Sequence, residues 1–143
     1  MGLALGAGCG SGLELRWKLH VMNSDKFASD FEELRIWIES RRLVNSIFDR
    51  LENCRHFSYK DQIQRASMSV MSNIAEGAER GTPADFARFL DISKGSAGEV
   101  RSLLHLGEDR GFFGSDEAAD LRASHRQLGR SIAALAKSLR SKA

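Results

Sequence analysis

The pattern of apolar and polar positions is most regular over residues 62–77, where two stripes run at helical spacing. The apolar or small stripe consists of Ile63, Ala66, Val70, Ile74 and Gly77. Its steps of three and four residues place these positions on one face of an α-helix, the face that packs against a core. A parallel polar stripe, here called the polar seam, consists of Gln62, Arg65, Ser69, Asn73 and Glu76. We expect the polar seam to lie beside a neighbouring helix and to form hydrogen bonds between helices or subunits.

Similar spacing predicts an earlier helix over residues 30–53. Asp30 is expected as its N-cap, with Glu33 reaching back in a capping box. The expected core positions are Leu34, Trp37, Val44, Phe48 and Leu51. Arg41 occupies the position that this stripe skips, so its charge is expected to lean inward. Its guanidinium either contacts Glu76 or an RNA phosphate, or its aliphatic part packs against the protein while the guanidinium reaches solvent.

The helix that carries the polar seam is expected to follow Ser58 as N-cap and to stop near Gly81. The next helix, over residues 83–109, has Thr82 as N-cap and Pro83 in its first position. Its expected inner face is Phe86, Phe89, Leu90, Ser93, Ala97, Val100 and Leu104. Glycine lowers helix propensity by about 1 kcal/mol relative to alanine. The small residues 95–98 therefore predict the close approach of a neighbouring backbone, that of the polar-seam helix.

A fourth helix is predicted with Ser115 as its N-cap. Its apolar seam consists of Ala118, Leu121, His125, Leu128, Ile132, Leu135 and Leu139. The alternating steps of three and four are those of a coiled-coil seam. His125 lies within the seam, where it is either a ligand or proton carrier or, in the simpler interpretation, a partly buried histidine bonded to a neighbour.

Four amphipathic helices joined by short connectors predict an all-α protein, an up-down-up-down antiparallel four-helix bundle over residues 30–141. Residues 1–29 are expected to form a flexible N-terminal extension, because five glycines lie between Gly2 and Gly12. A secretory signal is the alternative, but no basic residue precedes Arg16 and glycine interrupts the apolar run. Met22 is a candidate for the natural start of the chain.

Composition constrains function only loosely. A length of 143 residues fits one domain, and 42% hydrophobic with 28% charged residues suits a globular protein without a membrane span. The net charge of +2 is too small to indicate nucleic-acid binding by itself. Cys9 and Cys54 have no paired spacing, which argues against a disulfide framework or a zinc site and favours a reducing cytoplasm.

The sequence offers no motif for catalysis or metal binding. A di-metal bundle needs Glu-x-x-His pairs and further inward glutamates, whereas Glu52 with His56 and His105 with Asp109 lie near helix ends without convergent partners. No P-loop, dinucleotide motif or nucleophile paired with a base occurs. We therefore expect no enzymatic activity, no cofactor and no metal.

Three ordered motifs carry a resemblance to a known family. They are F-E-E-L-R-I-W at residues 31–37, Q-I-Q-R-A followed by S-N-I-A-E-G within residues 62–77, and F-L-D-I-S-K-G-S-A-G-E-V at residues 89–100. The chain resembles the four-helix-bundle proteins encoded in intervening sequences of 23S rRNA genes, which are similar to accessory proteins of diversity-generating retroelements. The resemblance implies a homopentamer that binds nucleic acid and, in retroelements, a reverse transcriptase. Met71 departs from the family, which often has proline there. Glu99 belongs to the third motif, but it could equally be an exposed helical carboxylate.

The basic residues of the fourth helix form one candidate site. Between Asp120 and Ala143 the chain has six lysines or arginines and one acid. A cluster here called the basic ladder falls within an arc of about 80° at 100° per residue, and it consists of Arg122, Arg126, Arg130, Lys137 and Arg140. We expect the ladder to face outward and to contact the phosphate backbone of RNA or DNA. The alternative is an ordinary solvated face.

Two functions follow from these patterns. The first is an oligomeric bundle that binds structured RNA or an RNA–protein complex. The second is a homo-oligomeric scaffold that binds a protein and no nucleic acid, which the modest net charge favours. Ile92, Ser96 and Leu103 lie beside the core stripe of the third helix, so they are available for a second subunit in a closed ring.

Overall fold

The computed structural model describes residues 30–142, and over that range the chain is helical with no β-strand. A 3₁₀ turn, Phe31–Glu33, precedes four α-helices. They are α1 (Arg35–Arg50), α2 (Phe57–Glu79), α3 (Pro83–Asp109) and α4 (Ser115–Arg140). Each helix packs against the next along the chain, and α1 also contacts α4. The predicted antiparallel four-helix bundle is confirmed, whereas the extension predicted for residues 1–29 lies outside the described residues.

Two helix boundaries follow the sequence signals closely. Thr82 Oγ1 accepts a hydrogen bond from the Asp85 backbone N–H at 3.2 Å, and Pro83 begins α3. At the other end of α3, Gly111 adopts a left-handed conformation with φ of 75°. The Phe112 N–H donates to the Gly107 carbonyl at 2.8 Å and the Gly111 N–H donates to the Glu108 carbonyl at 3.0 Å. This pair of bonds is a Schellman motif, which satisfies the last carbonyls of the helix.

Three predicted N-caps are wrong. The Asp30 side chain makes no capping bond, and α1 begins at Arg35 after Leu34, whose extended backbone separates it from the 3₁₀ turn. The cap of α2 is His56, so Ser58 lies inside that helix. Ser115 is the first residue of α4 rather than its cap. Its hydroxyl donates to the Glu108 carboxylate at 2.8 Å, and a bond to a charged acceptor is stronger than a bond to a backbone amide.

The core face of α1 also differs from the prediction. Its buried residues are Ile36, Ser40, Leu43 and Ile47, flanked by Leu34 and Leu51. Trp37 and Val44 are half-buried and Phe48 is exposed. Leu34 and Leu51 are buried as predicted, but the middle of the predicted stripe is offset by one residue from the buried one, and both have helical spacing. Arg41 does not lean inward: it is exposed, and its guanidinium lies 5.7 Å from the centre of the Trp37 ring.

α2 and α3 approach closely at Gly77 and Ser93, and among the small residues 95–98 the Ser96 hydroxyl also meets α2, where it shares a hydrogen bond of 2.8 Å with Ser69. A Cβ atom on Gly77 would lie 2.7 Å from Phe89 Cβ, and Ser93 Oγ donates to the Val70 carbonyl at 2.7 Å. A Cβ atom on Gly95 would meet nothing within 4 Å. The expectation that Gly95 allows the α2 backbone to approach closely is therefore wrong within this bundle.

Candidate nucleic-acid interface

The candidate interface lies on α4, whose heptad seam fixes which residues point away from the core. Every residue of the predicted apolar seam, from Ala118 to Leu139, is buried. The opposite face of a helix with such a seam must lie in solvent. No acidic residue follows Asp120 in the chain, so the exposed face of α4 beyond this point is basic.

Three members of the basic ladder have no partner among the residues that the structure describes. Arg126, Arg130 and Lys137 are exposed, and none of them makes an ion pair or side-chain hydrogen bond within residues 30–142. We call them the crest cations. Their positive charge is not neutralised by a neighbouring carboxylate, so it remains available to an anion.

All five members of the ladder were predicted to face outward. The two remaining members, Arg122 and Arg140, are instead each held in an ion pair. Arg122 is 17% exposed, and its Nη1 lies 2.8 Å from Glu108 Oε2. Arg140 pairs with Asp91. Both acids belong to α3, and they approach because α3 and α4 are antiparallel neighbours. The ladder therefore divides into two groups. Three cations have no ion pair within residues 30–142, and the other two form ion pairs that join α3 to α4.

Glu108 is the centre of that connection. It accepts hydrogen bonds from Ser115 Oγ and from the Arg122 guanidinium, each at 2.8 Å. These bonds favour the ionised carboxylate, so the Ser115 hydroxyl first and then Arg122 hold the pKa of Glu108 below its usual value. Arg122 thus has a structural partner on α3.

The polar seam of α2 lies against α3, and part of it links the two helices. Gln62 Nε2 donates to Glu99 Oε1 at 2.7 Å, and the hydroxyls of Ser69 and Ser96 share a hydrogen bond of 2.8 Å. Asn73 Nδ2 donates to the carbonyl and to the hydroxyl of Ser69, at 2.8 and 3.0 Å. Glu99 is therefore exposed but bonded across the helix contact.

The charged members of the seam behave differently. Arg65 pairs with Asp61 at 2.8 Å, and Glu76 pairs with Arg80 at 2.9 Å. Each partner lies one turn away on α2 itself. Such exposed pairs at i, i+4 stabilise a helix by only about 0.3–0.5 kcal/mol. Arg65 and Glu76 therefore do not join helices within the bundle.

His125 is buried more deeply than expected, with 2% of its surface exposed. Its Nδ1 lies 2.7 Å from the Leu121 carbonyl oxygen, and because a carbonyl can only accept, Nδ1 carries the hydrogen. Burial is the main cause that lowers its pKa, while the Leu121 carbonyl acts in the opposite direction. A residue so enclosed has no route to an external ligand.

Tyr59 was missed as a structural site. Its hydroxyl donates to the Leu103 carbonyl at 2.7 Å, and burial raises its pKa to about 12. A Cβ atom on Gly107 would collide with this hydroxyl, so the two residues form one tight contact between α2 and α3. The signal was present in the sequence, because Tyr59 lies four residues before Ile63 on the apolar stripe of α2.

A groove between α1 and α4, here called the α1–α4 groove, was also missed. It has a volume of about 1050 Å³. Its α4 wall consists of Ser124, Gln127, Ser131, Ala134, Ser138 and Ser141. These residues repeat at steps of three and four, as the apolar seam does, but their side chains are small or polar. Because they do not form an apolar stripe, the sequence pattern did not single them out.

The described part of the chain contains no group of three His, Cys, Asp or Glu side chains placed to hold a metal ion. No helix among residues 30–142 is long and apolar enough to cross a membrane.

Comparison with known proteins agrees with this architecture. A crystal structure of a protein of unknown function from the S23 ribosomal protein family of Bacteroides thetaiotaomicron superposes with a TM-score of 0.64. The two chains are 21% identical, and the match covers 71% of this chain and 98% of the other. At that identity the likeness establishes the fold alone. A search of curated proteins finds no match. The family profile described as 23S rRNA-intervening sequence protein matches residues 32–134. The chain therefore belongs to the 23S rRNA-intervening sequence protein family.

Proposed function

We propose that this protein is a non-enzymatic, oligomeric bundle that binds RNA or DNA through the crest cations of α4. The observation that carries the proposal is that three unpaired cations share one face of α4 with no acid among them. Arg55, Lys94 and Arg110 are also exposed and unpaired within residues 30–142, but they do not lie together on one helix face. Arg42 and Arg80, like Arg65, are paired with acids of their own helices. Arg126, Arg130 and Lys137 have no such partners among the described residues.

The spacing of the crest cations suits a phosphate backbone. At a rise of 1.5 Å per residue, Arg126 and Arg130 are about 6 Å apart along the helix axis, and Lys137 lies about 10 Å further. Successive phosphates of an extended strand lie several ångströms apart, so the row can contact two or three of them. Lysine and arginine contacts with phosphate position a nucleic acid without reading its sequence. Binding should therefore depend on salt and tolerate changes in sequence.

Fluorescence anisotropy with a labelled 20-nucleotide oligouridine and a labelled DNA duplex tests this proposal. The triple variant Arg126→Gln, Arg130→Gln, Lys137→Gln should bind more weakly. The dependence of log affinity on log salt should flatten by about two to three units per binding protomer. A matched control, Arg42→Gln, Arg65→Gln, Arg80→Gln, removes the same charge from paired positions and should change affinity much less.

Two outcomes would reject nucleic-acid binding at the crest. One is the absence of binding by the wild-type protein at micromolar concentration and low salt. The other is an equal loss of affinity in both triple variants, which would show that only the total charge matters. The first outcome favours the alternative function, a homo-oligomeric protein scaffold.

The oligomeric part of the proposal rests on the outer face of α3. Ile92 and Leu106 are 45% and 47% exposed. Gly95 lies between them, and its solvent side is open. A glycine inside a helix lowers stability, and nothing within the bundle compensates for it. Contact with a second subunit would supply both the burial and the reason for the small residue. We propose a closed ring, with five subunits as in the assembly that the family resemblance implies.

A further inference from the structure

The α4 wall of the α1–α4 groove repeats at the spacing that a packed helix needs. Its six residues alternate steps of three and four from Ser124 to Ser141, parallel to the buried apolar seam of the same helix. An α-helix laid along such a seam meets side chains at regular intervals. The serines at positions 124, 131 and 138 and Ala134 are small, so they allow a second helix to approach α4 closely.

The bottom of the groove is apolar, whereas its α1 wall combines Ile38 with the charged residues Arg35 and Glu39. Leu128 and Leu135 of α4 contribute to the bottom, together with Leu34 and Ile36 at the start of α1. Ile38 lines the α1 wall and is 52% exposed. Covering an aliphatic side chain exposed to this degree beside an apolar cleft removes apolar surface from water, which favours binding of a partner.

The charge of the groove selects among partners. Arg130 and Lys137 line the groove and have no acidic partner within residues 30–142. The acid of the lining, Glu39, is held by Arg42 through two hydrogen bonds of 2.7 and 3.0 Å. The groove therefore presents an apolar bottom beside unpaired positive charge. We propose that it binds an acidic amphipathic helix of a partner protein, with the apolar side of that helix on Ile38 and its carboxylates on Arg130 and Lys137.

A helix fits the groove better than single-stranded nucleic acid does. None of the residues between 30 and 142 that line the groove is aromatic, and unpaired bases bind proteins chiefly by stacking on aromatic rings. A second copy of this chain is also disfavoured. Asp91, the acid next to the exposed apolar Ile92 of α3, is already paired with Arg140, so it is not available to the cations of the groove.

This inference is independent of the proposed nucleic-acid binding, although Arg130 and Lys137 would take part in both. An acidic helix in the groove would neutralise two of the three crest cations. It would therefore compete with nucleic acid for the same protein molecule, and the competition could be measured directly by adding oligouridine to the peptide complex.

The test uses the full chain and a fluorescein-labelled peptide of 21 residues. The peptide has three heptads with leucine at a and d, glutamate at e and g, and alanine elsewhere; repulsion among its glutamates opposes self-association at neutral pH. A second peptide has lysine in place of glutamate. The groove variant is Ala134→Gln, which fills the groove from an exposed position, and its matched control is Ala119→Gln, an exposed alanine of α4 outside the groove.

We expect the acidic peptide to bind the wild-type protein and the Ala119→Gln variant with micromolar dissociation constants. Ala134→Gln should weaken binding at least tenfold, and the lysine peptide should not bind. Failure of the acidic peptide to bind, or equal binding by the two variants, would overturn the proposal. If Ala134→Gln instead abolishes oligouridine binding, the groove is a nucleic-acid site. If that variant changes the oligomeric state in light scattering, the groove is an interface between copies of this chain.

Discussion

Gly77 of α2 lies against Phe89 of α3 so closely that a Cβ atom on the glycine would be 2.7 Å from Phe89 Cβ and 2.9 Å from Phe86 Cδ2. Both atoms belong to side chains enclosed in the core, so neither can move away easily. The contact brings the two helices together near the start of α3, and it explains why glycine is tolerated inside α2.

The first prediction compares two helical glycines. Gly77→Ala should lower the free energy of unfolding by about 1–3 kcal/mol, because it overpacks the contact with Phe89. Gly95→Ala should not lower stability and should raise it by up to about 1 kcal/mol, because its Cβ enters open space and alanine favours the helix. Chemical denaturation of both variants measures the difference. Equal stability of the two variants would contradict the packing described for Gly77.

The second prediction separates Arg122 from the crest cations. Arg122→Gln breaks the partly buried pair with Glu108, so it should lower the melting temperature while leaving nucleic-acid affinity and its salt dependence unchanged. Arg126→Gln should instead weaken nucleic-acid binding and flatten its salt dependence while leaving the melting temperature unchanged, since Arg126 is exposed and makes no ion pair within residues 30–142. Thermal unfolding and anisotropy titrations of both variants test this. A larger loss of affinity in Arg122→Gln than in Arg126→Gln would restore Arg122 to the binding surface.

The third prediction concerns pH. Burial lowers the pKa of His125 in the folded chain, whereas its unfolded value stays near 6.5. Below pH 6.5 the unfolded state therefore binds more protons than the folded state, and stability falls as the pH decreases towards the folded pKa. The neighbouring charges are Glu39, Arg101 and Arg42, of which only Glu39 favours protonation.

His125→Leu should remove the contribution of His125 to the pH dependence of stability. The other histidines are present in both proteins, so their contributions cancel in the comparison. Denaturant unfolding of the wild type and the variant between pH 5 and 8 gives the comparison. The difference in stability should shift in favour of the variant as the pH falls. A difference that stays constant over this range would show that His125 has the same pKa in both states.

The fourth prediction tests the ring. Ile92→Glu combined with Leu106→Glu places two charges on the outer face of α3 and should convert the oligomer to monomers in multi-angle light scattering. Phe57→Glu is the control, because Phe57 lies on α2 and, at 72%, is the most exposed large apolar side chain of residues 30–142. A wild-type monomer at tens of micromolar would end the proposal of a ring.

The fold could be predicted from the sequence because each helix has one strong period and clear breaks. The face of α1 could not, because two apolar stripes one residue apart both fit a helix: Trp37, Val44 and Phe48 against Ile36, Leu43 and Ile47. Which stripe is buried depends on the shape of α2, α3 and α4. Helical periodicity along a single element does not contain that information.

The candidate site shows the same limit. The arc of the basic ladder follows from spacing within α4, and it correctly groups the crest cations. The acids that neutralise Arg122 and Arg140 lie on α3, at Glu108 and Asp91. They are 14 and 49 residues away in the chain, so a pattern within one helix cannot reveal them. Ion pairs between helices decide which charges remain available, and they become visible only in the packed bundle.

The connection between α3 and α4 has a consequence for how the chain folds. The Schellman motif at Gly111 and the bond from Ser115 to Glu108 join residues that are close in sequence, so closing this hairpin costs little loop entropy. The contacts beside the α1–α4 groove are between the first and the last helix of the chain. Contacts between residues so distant in sequence form slowly. We expect the hairpin to assemble first and α1 to dock last. In pulsed hydrogen exchange during refolding, amides of α1 should gain protection after those of α3 and α4, and simultaneous protection would show that all four helices join in one step.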